Sequence, residues 1–360
     1  MKKLMTLLLS GIVCFSLFGG CASKENETTT KSITREITDM AGRKVTIPTN
    51  IDKVYCAVPT AESMVCTLVP EKMVAWVNKP ADDAKKYLNK KTIDLPAIGG
   101  WMGQQVTANM EDIIKISPDV VIYMTVITDI TGSTPGDSTA DQIQEQTGKP
   151  VIVMDSSFDK MSECYKLLGD YLGVKERGEK LAKYCDDKKE EITNIIDKIP
   201  EDKKVDVYYA EGKGGLSTDP AGSPHTEVLD FVQVKNVAAV DIAGGQGMTQ
   251  VSMEQVLKWN PSLILVSASN QENYEEIMSN PSWSKINAVE NKKIYLTPAV
   301  PFNWFDRPPN IMRILGIQWA ANLFYPEYAK IDIKKEIKEF FSLFYNVELS
   351  DEEAAAFISK

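Results

Sequence analysis

Residues 174–199 read VKERGEKLAKYCDDKKEEITNIIDKI, and this stretch decides how the rest of the chain is divided. Apolar or small residues recur along it at steps of three, four and seven, at Val174, Gly178, Leu181, Cys185, Ile192, Ile195 and Ile199. This spacing predicts one face of a long helix, with Lys188 as the one charged residue in the apolar stripe. Pro200 ends the helix, because the residue before a proline is pushed out of the helical region.

A helix of this length spans roughly 40 Å, at about 1.5 Å per residue, which is the width of a domain. On either side of it, short apolar runs alternate with helix-like runs. Two interpretations stay open from this stretch alone. It is either a surface helix of one large α/β domain or a rigid strut that joins two α/β lobes with a cleft between them.

The start of the chain has a short basic segment, an apolar run over 4–18 and the ending Gly19-Gly20-Cys21. This order predicts a secretory signal over 1–20, too short to remain as a membrane-spanning helix. The ending resembles a bacterial lipoprotein box, which implies lipid on Cys21, a flexible tether over 21–35 and a place on the outer face of a bacterial membrane. Phe18 departs from the smaller aliphatic residue usual there, and a plain secreted protein is the alternative.

The composition of the chain argues against two classes of function, nucleic-acid binding and a structural zinc site. The chain has 40 Lys and Arg against 50 Asp and Glu, a net charge of −10, which argues against nucleic acid because phosphate binding needs basic patches. A single histidine and the lack of a CxxC spacing argue against a structural zinc site. Cys56 and Cys66 could form a disulfide, but buried thiols are the expected state.

Short continuous apolar strands alternating with helices predict mainly parallel sheets covered on both faces. The expected division is an N-terminal α/β lobe (36–158), a linking helical segment (159–200) and a C-terminal α/β lobe with terminal helices (201–360). The predicted strands are a hairpin ending in 44–47, then 53–58, 74–77, 119–124, 150–154, 204–210 and 292–296. Ser223-Pro224 predicts the N-cap and first residue of a helix.

Four stretches carry a resemblance to a known family. They are DMAGRKVTIP (39–48), IDKVYCAVPTAESMVCTLVPEKMVAW (51–76), MEDIIKISPDVVIY (110–123) and VSMEQVLKWNPSLILVS (251–267). They resemble the substrate-binding proteins of ABC importers for iron-siderophore, haem, vitamin B12 and related metal complexes. The resemblance covers essentially all of the chain after the signal. It implies two α/β lobes joined by one long helix, a monomer without a cofactor, and delivery to a membrane permease driven by a cytoplasmic ATPase.

Ligands of open α/β sheets bind outside the carboxyl ends of the strands. The candidate ligand-binding side chains that follow predicted strands are Trp101, Met102, Tyr209, Ser223, His225, Trp304 and Arg307, beside Glu211, Asp306 and the 125–139 loop. The tryptophans would offer flat apolar area to a chelate, and Arg307 a fork of donors to an anion. Each also has a structural alternative: packing under a loop, an ion pair with Asp306, or a capping role for His225.

Two glutamates receive a different role from the resemblance. In the resembled family, an acidic residue on a surface helix of each lobe meets arginines of the permease. The matching positions in this sequence are Glu62, in PTAES, and Glu227, in HTEVLD. Both lie in the first turn of a predicted helix, where a carboxylate also stabilises the helix dipole, so helix stability alone is the alternative.

The leading functional prediction is capture of an iron chelate of siderophore type, or a related metal complex, with no enzymatic step. A small oxyanion such as molybdate or tungstate is the alternative, because SPHTE (223–227) and WFDRPP (304–309) offer hydroxyl, imidazole and guanidinium donors. Haem or a corrinoid is a further alternative on the same fold. A surface hydrolase is disfavoured because GxSxG and HExxH motifs are lacking, and a purely structural lipoprotein is the other remaining class.

Overall fold

The computed structural model describes residues 33–102, 105–127, 139–242 and 248–358. The strands are β1 (Thr34–Thr38), β2 (Lys44–Pro48), β3 (Val54–Cys56), β4 (Trp101–Met102), β5 (Gln105–Val106), β6 (Val120–Thr125), β7 (Val151–Asp155), β8 (Asp206–Ala210), β9 (Ser217–Thr218), β10 (Lys235–Asn236), β11 (Thr249–Gln250), β12 (Leu263–Val266) and β13 (Ile294–Leu296). The predicted signal, Cys21 and most of the 125–139 loop lie outside the described residues.

Helices surround these strands. They are α1 (Pro59–Leu68), α2 (Asp82–Lys85), α3 (Lys90–Ile93), α4 (Met110–Ile116), α5 (Thr139–Thr147), α6 (Met161–Tyr171), α7 (Lys175–Ile196), α8 (Glu227–Phe231), α9 (Met253–Trp259), α10 (Glu272–Ser279), α11 (Asn287–Glu290), α12 (Arg313–Phe324), α13 (Pro326–Ala329), α14 (Ile333–Tyr345) and α15 (Asp351–Ala356). None of these helices is long and apolar enough to cross a membrane.

The first half of the chain builds a parallel sheet in the order β3-β6-β7, with the antiparallel hairpin β1-β2 beside it. Side chains alternate between two buried faces, because successive residues of a strand point to opposite sides. Tyr55 and Val121 belong to one core cluster, whereas Val54 and Ile122 belong to another. The strand predicted at 74–77 is wrong: only single bridges, Met73 to Val54 and Trp76 to Ala97, pair there.

The second half builds a parallel sheet in the order β10-β8-β12-β13. Its central strands β8 and β12 are covered on both faces, which explains why they read as continuous apolar runs. Before β12, the Ser252 and Gln255 side chains form a capping box that starts α9. Asn260 then ends α9 in the left-handed conformation, which asparagine adopts more readily than most residues, and Pro261 follows it.

The long helix predicted from the first stretch is α7, and it is the strut. It contacts α1 and α6 from the first half and α12 and α13 from the second. The largest core cluster of the described residues runs from the first sheet, through Leu181 and Cys185 of α7, into the second sheet. Residues from Ile33 onward form one compact unit. Lys188, the one charge in its stripe, is matched by Glu336 of α14, with Nζ 2.5 Å from Oε2.

The two helices that precede the second lobe pack closely because two glycines face each other. A Cβ at Gly178 of α7 would lie 2.4 Å from the Tyr165 carbonyl oxygen and 2.9 Å from the Cα of Gly169 in α6. No side chain fits in that space. The small residue in the predicted stripe therefore sets the distance between α6 and α7.

Candidate functional site

A cluster of buried charges lies at the carboxyl edge of the second sheet and is centred on Arg307. The loop between β13 and α12 carries Arg307, whose Nε donates to Glu211 Oε1 at 2.7 Å and whose Nη2 pairs with Asp219. Glu211 follows β8 directly and Asp219 follows β9, and both carboxyl groups are inaccessible to solvent. The Arg307 side chain keeps 18% of its surface exposed. It is therefore anchored from behind while part of it still faces solvent.

The buried carboxyl groups have different proton affinities. Burial raises the pKa of Glu211 to about 8, with Arg307 opposing the rise and Asp219 adding to it. Burial also acts on Asp219, but the neighbouring Glu211 and Arg307 outweigh it and lower the pKa of Asp219. Burial alone would lower the pKa of Arg307, yet the surrounding carboxylates raise it, so this guanidinium stays charged.

A second chain of charges extends from the only histidine. His225 Nδ1 contacts Asp306 Oδ2, and the other Asp306 oxygen accepts from Arg313 Nη2 at 2.7 Å. Arg313 also pairs with Glu227 through Nη1. The pairing leaves the Nε2 edge of His225 without a hydrogen-bond partner among the described residues, and 22% of the His225 side chain is exposed. His225 does not cap α8, whose N-cap is Thr226; its side chain contacts Asp306 instead.

Glu227 links this cluster to the first lobe. Its Oε1 accepts a hydrogen bond from the Phe158 backbone N–H at 3.0 Å, and Phe158 comes just after β7, the last strand of the first sheet. The carboxyl edges of the two sheets therefore meet at this cluster. This is where open α/β sheets bind ligands.

Ser223 is placed differently from the prediction. Helix α8 begins at Glu227, with Thr226 as its N-cap, so the helix start predicted at Ser223-Pro224 is wrong. The Ser223 hydroxyl instead donates to Asp219 Oδ1 at 3.1 Å and accepts the His225 N–H at 3.2 Å. Ser223 is buried and supports Asp219 and the His225 turn from behind.

Several buried polar atoms beneath this cluster have no hydrogen-bond partner among the described residues. They are Tyr209 Oη, Glu211 Oε2, Thr218 Oγ1, Ser267 Oγ and Asn303 Nδ2. Tyr209 and Glu211 flank the last residue of β8, and the Ser267 N–H donates to that residue at 3.1 Å.

The aromatic residues predicted to contact a chelate are core residues. Trp101 is 3% exposed and lies edge-on to Tyr55, while Trp304 is fully buried and stacks on Phe357. Tyr209 is also fully buried. Their large rings stabilise the lobes rather than line an open surface, so the structure supports the packing alternative for all three. Met102, half-buried in the β4-β5 hairpin, keeps some exposure.

Glu62 does not lie on a surface helix, as a docking carboxylate would have to. It is 4% exposed, and its Oε1 accepts the Val77 N–H inside the first lobe. Burial raises the pKa of Glu62 to about 8, although the Val77 N–H opposes the rise. The expectation of an exposed carboxylate at Glu62 is therefore wrong. Glu227 keeps 26% of its side chain exposed, and its permease role stays a prediction.

Sequence reasoning missed Asp219 and Arg313. A signal existed for Arg313, because it interrupts the apolar run NIMRILGI (310–317) and a charge in such a run indicates a buried ion pair. Asp219 gave no such signal, because STDPAGS (217–223) has the composition of an ordinary turn. The expected buried thiols are confirmed at Cys56 and Cys66, and Cys164 and Cys185 are also buried and free.

The chemistry available at the cluster is binding. Within the described ranges, no group of three or more His, Cys, Asp or Glu side chains could hold a metal ion. The Arg307 and His225 side chains are partly exposed, and buried carboxylates hold both in place. Side chains held in this way at a junction between two lobes are suited to binding a solute.

Comparison with known proteins leads to the same class. The periplasmic binding protein family matches residues 69–301, and the chain belongs to that family. It is a periplasmic binding protein of an ABC transporter. A similar solved structure is the ABC transporter solute binding protein from Sulfurospirillum deleyianum, with a TM-score of 0.81 and 30% identity, covering 91% of this chain and 99% of the other.

Two curated relatives cover most of the chain. The molybdate-binding protein MolA of Haemophilus influenzae is 26% identical over 337 residues, which are 89% of this chain and 93% of the relative. The iron-uptake system-binding protein of Bacillus subtilis is 25% identical over 309 residues, 83% of this chain and 90% of the relative. The relatives thus differ in the ligands their names give.

Proposed function

We propose that this chain captures a compact oxyanion of the molybdate or tungstate class and delivers it to an ABC permease. One observation carries the choice. The tryptophans that would cover a bulky chelate are buried in the lobes, whereas the Arg307 and His225 side chains are partly exposed at the junction of the two sheets. A compact tetrahedral anion is held by a few fixed donors and needs no flat apolar surface.

The position of Arg307 supports this role. Its guanidinium is held by Glu211 and Asp219, so little side-chain freedom is lost when an anion binds to its exposed part. His225 is held in the same way by Asp306, and a doubly protonated ring would donate its second N–H to the anion. The likeness to the molybdate-binding relative over 89% of the chain supports the same ligand class.

An iron complex is the second candidate, and the His225–Asp306 contact favours it. Histidines that bind metals usually give their other ring N–H to a carboxylate, which orients the ring and makes it more basic. A neutral His225 with Nδ1–H on Asp306 would offer the Nε2 lone pair to the metal of a chelate. The name of the Bacillus relative agrees with this candidate.

Thermal unfolding of the full chain separates the two candidates. Molybdate, tungstate, sulfate, ferric citrate, ferric siderophores, haemin and cobalamin would be compared as additives. A ligand at 100 times its Kd adds about 2.7 kcal/mol, a shift of several degrees at most for a chain of this size. Molybdate and tungstate should raise Tm. A rise with ferric complexes alone would overturn the oxyanion proposal.

Matched variants locate the site. His225→Gln and Arg307→Lys should each reduce the shift, because one removes the imidazole and the other replaces the planar fork by a point charge. Lys213→Gln serves as the control. Lys213 is exposed on the loop after β8, so this substitution removes one positive charge from the same region. Equal losses in all three variants would indicate general electrostatic attraction instead of a site.

Anchoring and delivery complete the proposal. Lipid on Cys21 would hold the protein at the outer face of the membrane, where it would act as a monomer. Metabolic labelling with a radioactive fatty acid tests the anchor, and a Cys21→Ser variant should lose both the label and the membrane association. Label that persists in this variant would exclude Cys21 as the lipidated residue.

A further inference from the structure

Two carboxyl groups share one edge of a single guanidinium. Nε of Arg307 donates to Glu211 Oε1 at 2.7 Å, and Nη2 of the same group pairs with Asp219. These two nitrogens lie side by side in the planar fork, so the oxygens that they hold are neighbours. Both carboxyl groups are fully buried, so water does not screen one from the other.

One guanidinium cannot balance two buried carboxylates. Two like charges that share a site raise the free energy of full ionisation, so one carboxyl group keeps its proton. Asp306 offers no relief, because its Oδ2 lies 3.9 Å from Arg307 Nε and brings another negative charge. The Asp306 carboxylate pairs with Arg313, which also pairs with the partly exposed Glu227, and it contacts His225.

The geometry also shows which oxygen has room for the proton. Glu211 Oε2 is buried and has no hydrogen-bond partner among the described residues, whereas Asp219 Oδ1 accepts from Ser223 Oγ and from the Met248 N–H. Asp219 is therefore solvated by donors as an ionised carboxylate would be. Glu211 Oε2 has no such donors, so it is the oxygen that can carry the proton.

We propose that Glu211 determines whether the site accepts an anion: it holds a proton in the ligand-free protein, and the site rejects the anion once that proton leaves. This inference rests on the oxyanion function proposed above. With the proton on Glu211, Arg307 is paired with one negative charge, that of Asp219, and the three groups together are neutral. Without the proton, Arg307, Glu211 and Asp219 together carry one negative charge, which repels the ligand.

The proton affinities agree with this geometry. Burial raises the pKa of Glu211 to about 8, while the pKa of Asp219 is lowered by Glu211 and Arg307 against the effect of burial. Burial also raises the pKa of Tyr209 far above its usual range, so this hydroxyl stays neutral. The charged groups around Glu211 are then Arg307, Asp219 and Asp306, with His225 beyond Asp306.

Tungstate affinity measured by calorimetry between pH 7 and 9.5 tests the inference on the full chain. We expect the affinity of the unaltered protein to fall about tenfold per pH unit above pH 8, as for the loss of one proton. Glu211→Gln cannot ionise, and in the His225→Gln background, where the imidazole proton makes no contribution, it should bind equally across this range. Glu62→Gln is the matched control: it removes another buried carboxyl group whose pKa is about 8, but in the first lobe, so the fall should persist.

A fall that survives in Glu211→Gln in the His225→Gln background would overturn the inference. If Glu211→Gln does not fold, Asp219→Asn in the same background provides the second test, because removing one of the two carboxyl groups removes the reason for the proton and should abolish the fall above pH 8. An unchanged fall in Asp219→Asn would likewise contradict it.

A ligand-free measurement keeps this inference separate from the proposed function. The Tm difference between Glu211→Gln and the unaltered protein should widen from about pH 5 to pH 8 and then level off, because only the folded state of the unaltered protein holds the proton in that range. If tungstate binds at no pH, the oxyanion proposal falls, and this difference still decides whether Glu211 is protonated. A constant difference would overturn the inference whatever ligand binds.

Discussion

Arg313 lies fully buried at the start of α12 and pairs with Glu227, the first residue of α8. The other carboxylate oxygen of Glu227 accepts the Phe158 N–H at 3.0 Å. One carboxylate therefore balances a buried cation and joins the two lobes. The first prediction follows from this double contact.

Glu227→Ala should lower the free energy of unfolding by about 1–3 kcal/mol. The change removes one of the two carboxylates that pair with Arg313 and the acceptor of the Phe158 N–H, while Asp306 still pairs with Arg313 and the partial exposure of Glu227 reduces the loss. Urea denaturation measures the difference. Glu179→Ala, which removes an exposed carboxylate from α7, is the control and should change stability by less than about 0.5 kcal/mol. Equal effects in the two variants would show that the Arg313 contact contributes nothing.

The strut makes a second prediction through Lys188 and Glu336. Lys188→Met keeps the apolar stem but leaves the buried Glu336 without its cation, and it should cost about 1–3 kcal/mol. The double variant Lys188→Met/Glu336→Leu should recover most of the loss, because two well-packed apolar side chains can replace a buried ion pair. Chemical denaturation of Lys188→Met, Glu336→Leu and the double variant gives the coupling energy. A double variant as unstable as the single one would contradict this account.

Glu62 gives the third prediction, a pH dependence of stability. Its pKa is raised to about 8 by burial, while an unfolded glutamate titrates near its usual value of 4.5. Between these values the folded state holds a proton that the unfolded state has lost, so stability falls as pH rises from about 5 to about 8. Glu62→Gln should remove up to about 1 kcal/mol per pH unit of that slope in thermal unfolding. Glu71→Gln, at an exposed position, should leave the slope unchanged; an equal slope in Glu62→Gln would refute the assignment.

The helix packing gives the fourth prediction. Gly178→Ala places a Cβ 2.4 Å from the Tyr165 carbonyl oxygen, so α6 and α7 must separate. Overpacking of this kind costs about 1–3 kcal/mol. Lys180→Ala, at an exposed position of the same helix, is the control and should be neutral or slightly stabilising. A Gly178→Ala protein with unchanged Tm would show that the helices adjust freely.

The sequence predicts the fold well where periodicity and turn chemistry decide it. The strut, the parallel strands and the end of α9 at Asn260 all follow from local pattern. The segment 74–77 was misjudged because its apolar run is buried as irregular backbone with single bridges. A short apolar segment has the same composition whether or not a neighbouring strand pairs with it along its length.

The candidate site was predictable only in part. His225 and Arg307 were named because the chemistry of their side chains is rare or distinctive. Trp101 and Trp304 were misplaced, because a sequence does not tell whether a large ring after a strand faces the cleft or the core. The carboxylates that hold the site, above all Asp219, come from turns distant in sequence, and only the tertiary fold brings them to Arg307.

The central claim is that Arg307 and His225 bind a compact oxyanion. Calorimetric titration of the full chain with tungstate at pH 7 tests it most directly. We expect saturable binding of one tungstate per chain, weakened at least tenfold by Arg307→Lys and unaffected by Lys213→Gln. No heat with tungstate or molybdate, together with saturable binding of a ferric complex that survives Arg307→Lys, would contradict it.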